Sequence, residues 1–259
     1  MDQIQHQETR PRGIYLLPNL FTISSIFAGF YAIISTLKGN FESAAISIFI
    51  AMIMDSLDGR VARLTNTMTD FGAELDSLAD MVSFAIAPAV LVYSFALFNL
   101  GKLGWLSAFV FAVAVALRLA RFNTQLSKLG KRYFQGLPCP AGAAVIVGII
   151  WSAIELNISS TAFSIILAII TVITGILMVS NIRYRSFKDT DFKNHVRFMV
   201  ILLTVLIIVL ISVDPAFVLC IIFTTYAISG PIATTYGLQK KKRAKKHLLK
   251  SLNIHYGQQ

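Results

Sequence analysis

Long apolar stretches separated by short polar segments run from residue 20 to residue 236. Eight windows stand out, near 20–37, 41–63, 73–99, 103–121, 139–155, 160–181, 196–213 and 215–236. Their lengths approach the ~20 residues that a helix needs to cross about 30 Å of hydrocarbon. A backbone in lipid must pair its own amides, so windows of this length predict helices. The expected fold class is an all-α integral membrane protein of about eight transmembrane helices. Residues 1–17 form a polar amino-terminal segment, 18–237 the membrane domain and 238–259 a basic tail. No small-residue cleavage site follows a short apolar core, so the first window reads as a resident helix.

Composition strengthens this picture. Of 259 residues, 56% are hydrophobic and only 14% charged, and the mean hydropathy is +0.69, far above what a soluble core requires. Charge then orients the spans. When loops are assigned alternately to the two sides, only Lys38 and Lys102 fall on one side, and the rest of the 23 Lys and Arg residues fall on the other. The positive-inside rule places both termini, and the loops after the second, fourth and sixth spans, in the cytoplasm. Trp105 and Trp151 fall near the outer ends of their spans, where indoles settle at the interface. The net charge of +10 follows from these loops and calls for no nucleic acid. Its densest part, "KKKRAKKHLLK" at 240–250, reads as a topology anchor beside an anionic leaflet. Cys139 and Cys220 lie in separate spans, and His6, His195, His247 and His255 are scattered, so neither type forms a metal-like cluster.

One stretch departs from the pattern. "DSLDGRVARLTNTMTDFGAELDSLAD", residues 55–80, sets acids where the oily run ends. Asp55 and Asp58 are three apart and Asp76 and Asp80 four apart, so each pair shares a helix face. The short crossing 64–71 brings the two faces together as one site of four carboxylates on the cytoplasmic side. Such groups repel one another and lose hydration unless cations compensate. With oxygen as the only ligand type, Mg2+, Mn2+ or Ca2+ fits better than zinc, and two bridged ions suit displacement at a phosphate. Gly59, Ala62 and Gly72 leave room beside the acids, and Arg63 carries a planar donor fork for phosphate oxygens. The same small residues also serve close helix packing, and the arginine also serves as an interfacial anchor.

Taken together, D-x-x-D-G-x-x-A-R, eight residues, then G-x-x-x-D-x-x-x-D resembles the signature of the CDP-alcohol phosphotransferase family. The resemblance implies a helical bundle of that type and transfer of a phosphoalcohol group from a CDP-linked donor to a second alcohol, with release of CMP. It implies Asp55, Asp58, Asp76 and Asp80 as ligands of divalent metal ions, two of them, with Asp80 also the general base. It further implies Gly59, Ala62, Arg63 and Gly72 as the lining of the CDP moiety, and a homodimer. "YLLPNLFTISSIFAGFYAI", "DMVSFAIAPA", "RLARFNT" and "YFQGLPCPA" resemble the phosphatidylserine-synthase branch, which implies CDP-diacylglycerol as donor and L-serine as acceptor.

Serine carries a carboxylate, for which Arg118 and Arg121, one turn apart, can supply a cation, and Asn123 a polar contact. The same arginines can instead anchor their helix. Asn19 can bond the cytidine or cap the first helix, and Thr22 reads as a cap. Ser83 and Phe84 either shape the pocket or pack within the third span, and residues 135–140 form a breaker-rich turn into the fifth span. The core signature leaves other acceptors open, among them glycerol phosphate, inositol phosphate and choline. Two other classes place acids in membrane helices. An intramembrane prenyltransferase leaves the interposed G-x-x-A-R unexplained. A cation transporter keeps its acids near the midplane, whereas Asp55 lies only about 12 Å of helix from the interfacial Arg63.

Overall fold

The computed structural model describes residues 16–65, 67, 69–126, 136–182, 184 and 198–256. Among them every regular element is helical. Helix α1 spans Leu16–Leu37, α2 Phe41–Leu64 and α3 Asp70–Asp80. A π-helical segment (Met81–Ile86), a short α4 (Ala87–Val92), a second π segment (Tyr93–Leu97) and a 3-10 turn (Phe98–Leu100) continue α3 without a break. Then follow α5 (Lys102–Leu126), α6 (Cys139–Glu155), α7 (Thr161–Val179), α8 (Phe198–Val213) and α9 (Pro215–Tyr256).

Among the described residues five segments, Leu17–Leu37, Asp70–Leu100, Lys102–Thr124, Thr161–Val179 and Pro215–Thr235, are long and apolar enough to cross a membrane. Helix α2 is long enough but carries Glu42 at one end and Asp55, Asp58, Arg60 and Arg63 towards the other, and α6 has only 17 residues. The third span is also less regular than its sequence suggests, because π turns replace the expected uniform helix on either side of α4. The basic tail prolongs α9 to Tyr256. Arg10, Arg12, Lys128, Lys131, Arg132 and Gln135, like most of the loop before α8, lie outside the described residues.

Helix α7 shows how the bundle is built. Its outward stripe is Ile165, Ile166, Ile169, Ile173 and Ile176, all exposed, as lipid-facing side chains would be. Its inward face is Ser164, Leu167, Ala168, Thr171, Thr174, Gly175 and Met178. Lipid is as apolar as leucine, so membrane helices associate through close packing of small and self-bonded polar residues. Thr171 and Thr174 accordingly donate to the carbonyls of Leu167 and Ile170 one turn back. Helix α1 lies along α2, α5 along α7, and α6 along α9. Glycine permits near contact where α1 meets the π segment Met81–Ile86 and where α6 meets α9: a Cβ on Gly29 would fall 2.8 Å from Ser83 Cα, and one on Gly148 would fall 2.9 Å from Cys220 Cα.

Ser83 and Phe84 are packing residues. Phe84 is fully buried, and Ser83 donates to the Ser25 carbonyl at 2.9 Å while Ser25 donates to that of Ala51 at 3.1 Å, stitching α1 to the elements on both sides. Trp151 corrects the interfacial expectation. It is only 7% exposed and its ring lies 5.9 Å from that of Phe49, whereas Trp105 is 50% exposed. The turn into α6 follows its breakers. Gly136, at φ 86°, donates to the Ile182 carbonyl at 2.9 Å, and Pro138 caps α6.

Gly39 and Gly136 both occupy the left-handed region, at φ 78° and 86°. A Cβ on Gly39 meets nothing, but one on Gly136 runs into the Met178 carbonyl. Gly39→Ala is expected to cost about 1 kcal/mol of backbone strain, lowering the Tm of detergent-solubilised protein by about 2–4 °C. Gly136→Ala is expected to lower it at least twice as far, because the α6–α7 seam must open. Equal shifts would show that the carbonyl contact carries no packing cost.

Candidate active site

The acids sit where α2 ends and α3 begins. Thr69 starts α3 by accepting a hydrogen bond from Gly72 N at 3.0 Å, which satisfies one of the free amides of the first turn. Helix α2 closes through Thr65 N to the Val61 carbonyl and Thr67 N to the Ala62 carbonyl, at 2.9 and 3.0 Å. The two ends therefore meet at a tight crossing, and the acid-bearing faces turn towards each other.

One carboxylate oxygen each from Asp55, Asp76 and Asp80 lies within 4.8 Å of the others. Asp55 and Asp80 approach to hydrogen-bonding range. Asp80 Oδ1 is buried and without a partner, and such atoms are rare unless something else satisfies them. Asp58 stands slightly apart, 5% exposed, its Oδ2 accepting from Thr22 Oγ1 at 2.8 Å. It remains close enough to Asp55 and Asp76 for their charges to repel. An all-oxygen donor set with an unsatisfied buried oxygen suits a hard divalent cation, so Asp55, Asp76 and Asp80 are able to hold a metal, with Asp58 at their edge.

Thr22 therefore corrects the capping expectation. Helix α1 begins six residues earlier at Leu16, and Thr22 is an interior residue tied both to Pro18 O and to Asp58. Asn19 lies on the same face of α1, its Oδ1 only 3.5 Å from where a Gly72 Cβ would stand. A Gly59 Cβ would meet only Arg63 Nη2, at 3.8 Å, so space remains beside it. Arg63 folds back along α2, donating from Nε to the Gly59 carbonyl at 2.6 Å. Ala62 is half-buried on the same helix. Asn19 thus meets Gly72 across the α1–α3 contact, and Gly59 and Arg63 share one turn of α2.

The three residues expected at an acceptor subsite diverge. Arg118, half-buried on α5, donates from Nη1 to Cys139 Sγ at 2.9 Å, and its charge acts on Asp80. Arg121 turns to the end of α7, donating to Asn181 Oδ1 at 2.7 Å and the Val179 carbonyl at 3.3 Å. Asn123 Nδ2 donates to Ser77 Oγ at 3.0 Å, which ties α5 to the turn of α3 between Asp76 and Asp80. Sequence reasoning missed Ser77 and Cys139 as partners of these residues. Ser77 occupies an unspecified position of the motif, and Cys139 is distant in sequence. Spacing in one helix signals neither contact.

Similarity to known proteins follows the same residues. The family model described as CDP-alcohol phosphatidyltransferase matches residues 15–179, from α1 through α7. A CDP-diacylglycerol–serine O-phosphatidyltransferase of Helicobacter pylori (strain ATCC 700392 / 26695) is 37% identical over 224 residues, 85% of this chain and 91% of its own. The enzyme of that name from Bacillus subtilis (strain 168) is 40% identical over 179 residues, 69% of this chain and 94% of its own. The one from Methanocaldococcus jannaschii is 37% identical over 218 residues, 84% of this chain and 94% of its own. With the acids of α2 and α3 facing one another inside the matched region, the chain belongs to the CDP-alcohol phosphatidyltransferase family.

Proposed function

We propose that this chain moves the phosphatidyl group of CDP-diacylglycerol to the hydroxyl of L-serine, giving phosphatidylserine and CMP. The observation that carries the reading is the cluster of Asp55, Asp76 and Asp80 at the α2–α3 crossing. The acceptor rests on relatives of that name, which match over at least nine-tenths of their own lengths.

In this reading Asp55, Asp58, Asp76 and Asp80 hold two divalent ions, Mg2+ or Mn2+, with Ca2+ able to fill the same oxygen set. When bound, such ions polarise a pyrophosphate and neutralise charge on the departing CMP. The chain's own groups do the rest. Thr22 holds one oxygen of Asp58 and so fixes that side chain. Gly59, Ala62, Gly72 and Asn19 make room for the CDP moiety, and Arg63 exchanges its bond to the Gly59 carbonyl for phosphate oxygens. Asp80, whose Oδ1 has no partner, takes the proton from the serine hydroxyl. The serine oxygen then forms a bond to the phosphorus that bears diacylglycerol, and the bond from that phosphorus to CMP breaks. Arg118 receives the serine carboxylate, while Arg121 and Asn123 border the same end of α5.

The asymmetry of Lys and Arg supports both termini and the site facing the cytoplasm, in an inner or cytoplasmic membrane of bacterial type. Eight helical segments among the described residues, with 70–100 taken as one, support eight spans. The domain reading is 1–17 as a polar segment, 18–237 as the catalytic unit and 238–259 as a tail, in a homodimer.

Purified protein given CDP-diacylglycerol with L-serine, glycerol phosphate, inositol phosphate or choline is expected to release CMP and form lipid product with serine alone. CMP release that ignores serine would sink the acceptor assignment. Chelation by EDTA is expected to abolish turnover, and Mn2+ or Mg2+ to restore it; activity surviving exhaustive chelation would remove the metal role of the four acids. Asp80→Asn should lower turnover about a hundredfold or more while donor binding stays measurable. Near-normal turnover in that variant would exclude Asp80 as base.

A further inference from the structure

We infer that Cys139 is a positioning residue whose sulfur holds the Arg118 guanidinium apart from Asp80, so that the arginine meets the acceptor's carboxylate and the aspartate meets its hydroxyl. The inference rests on the serine reading above and adds a residue that neither the signature nor the relatives' names bring in.

Burying a guanidinium is costly unless oxygen acceptors surround it. A buried arginine therefore normally pairs with a carboxylate in bidentate geometry. Arg118 lies beside carboxyl groups but does not pair in this way. Its charge acts on Asp80, yet Nη1 donates to Cys139 Sγ at 2.9 Å, and its buried Nε has no partner. A thiol is a neutral, weak acceptor, so this bond fixes the direction of the guanidinium without neutralising it. Two unsatisfied groups of opposite kind, Arg118 Nε and Asp80 Oδ1, are thus both retained. Collapse into an Arg118–Asp80 ion pair would satisfy both and leave neither for substrate.

The sulfur is itself well anchored. Cys139 is fully buried at the first position of α6, immediately after the cap Pro138, and the chain reaches it through Gly136 and Leu137, which bond to the carbonyls of Ile182 and Leu177. The same sulfur feels the charges of Asp80 and Asp55, which places it beside the carboxylates. Serine presents a carboxylate and a hydroxyl on adjacent carbons, so an anchor for the first next to a base for the second fits a β-hydroxy acid such as serine and gives no advantage to an alcohol lacking the acid group.

The test compares Cys139→Val, which keeps a buried apolar side chain of similar volume but has no acceptor, with Cys139→Ser, which keeps one. The Val variant is expected to raise the serine KM about tenfold and leave the KM for CDP-diacylglycerol within about twofold. The Ser variant should stay within about threefold of the parent on both. Ethanolamine, which lacks the carboxylate, should gain relative to serine in the Val variant and in Arg118→Gln. If Val and Ser variants behave alike, or both KM values rise together, Cys139 is a packing residue and the inference fails. Should Cys139→Val not fold, the ethanolamine-to-serine preference of Arg118→Gln still decides, because an unchanged preference would leave Cys139 no anchor to position. If the unmodified chain releases no CMP in response to serine, the acceptor reading falls, and this inference with it.

Discussion

Asp55, Asp76 and Asp80 are held with an oxygen of each inside 4.8 Å of the others, at a helix crossing where packing removes much of the screening water. Like charges at such distances repel more strongly as the effective dielectric falls. The nearby arginines offset that repulsion only in part: the charge of Arg118 acts on Asp80, but its Nη1 is turned to a thiol and Arg63 is turned back on its own helix. The fold therefore keeps a concentration of negative charge that its own cations leave largely uncompensated. In the proposed reading a divalent cation meets that need. On that reading a cost to folding becomes affinity for substrate.

Keeping the acids together requires stiffness in α1, α2 and α3. Helix α1 provides much of it. Ser25 reaches α2 through the Ala51 carbonyl and receives Ser83 on its own carbonyl, while Gly29 lets the backbone after Asp80 approach. The π-helical segment begins directly after Asp80. Such turns often mark functional positions, since they shift the phase of a helix. Here Asp80 faces Asp55 on α2, while Ser83, three residues on, faces α1.

What the sequence disclosed follows from what a linear pattern encodes. Helix periodicity pairs residues three or four apart, so Asp55 with Asp58 and Asp76 with Asp80 were legible, and the short crossing made their meeting predictable. The helical class was legible because apolar windows near 20 residues have few alternatives in lipid. Contacts between distant helices were not. Thr22 resembled a cap because its type suits one, yet α1 extends past it towards Leu16, and its partner Asp58 lies 36 positions away. Trp151 suited an interface by type and position, but packing against Phe49 buries it. Arg118 and Arg121 share a helix end, and a bend of side chain sends one to α6 and the other to the end of α7.

These contacts divide the site into two halves of different origin. Helices α1 to α3 form the carboxylate half, dense in motif residues and closed by local turns. The second half is assembled from α5, α6 and α9: Arg118 comes from the first, Cys139 from the second, and Tyr226 of the third lies within reach of Arg118's charge. Helix α9 falls beyond the residues that the family model matches, yet it is fastened to the loop after α7 by Tyr184, whose hydroxyl donates to the Ala227 carbonyl at 3.0 Å. In the proposed reading, a reaction common to a whole family needs the first half to stay fixed, whereas the acceptor alcohol is told apart by the second. On that reading, residues that bear on Arg118 from α6 and α9 are where acceptor choice can vary while the acids that carry the chemistry keep their places on α2 and α3.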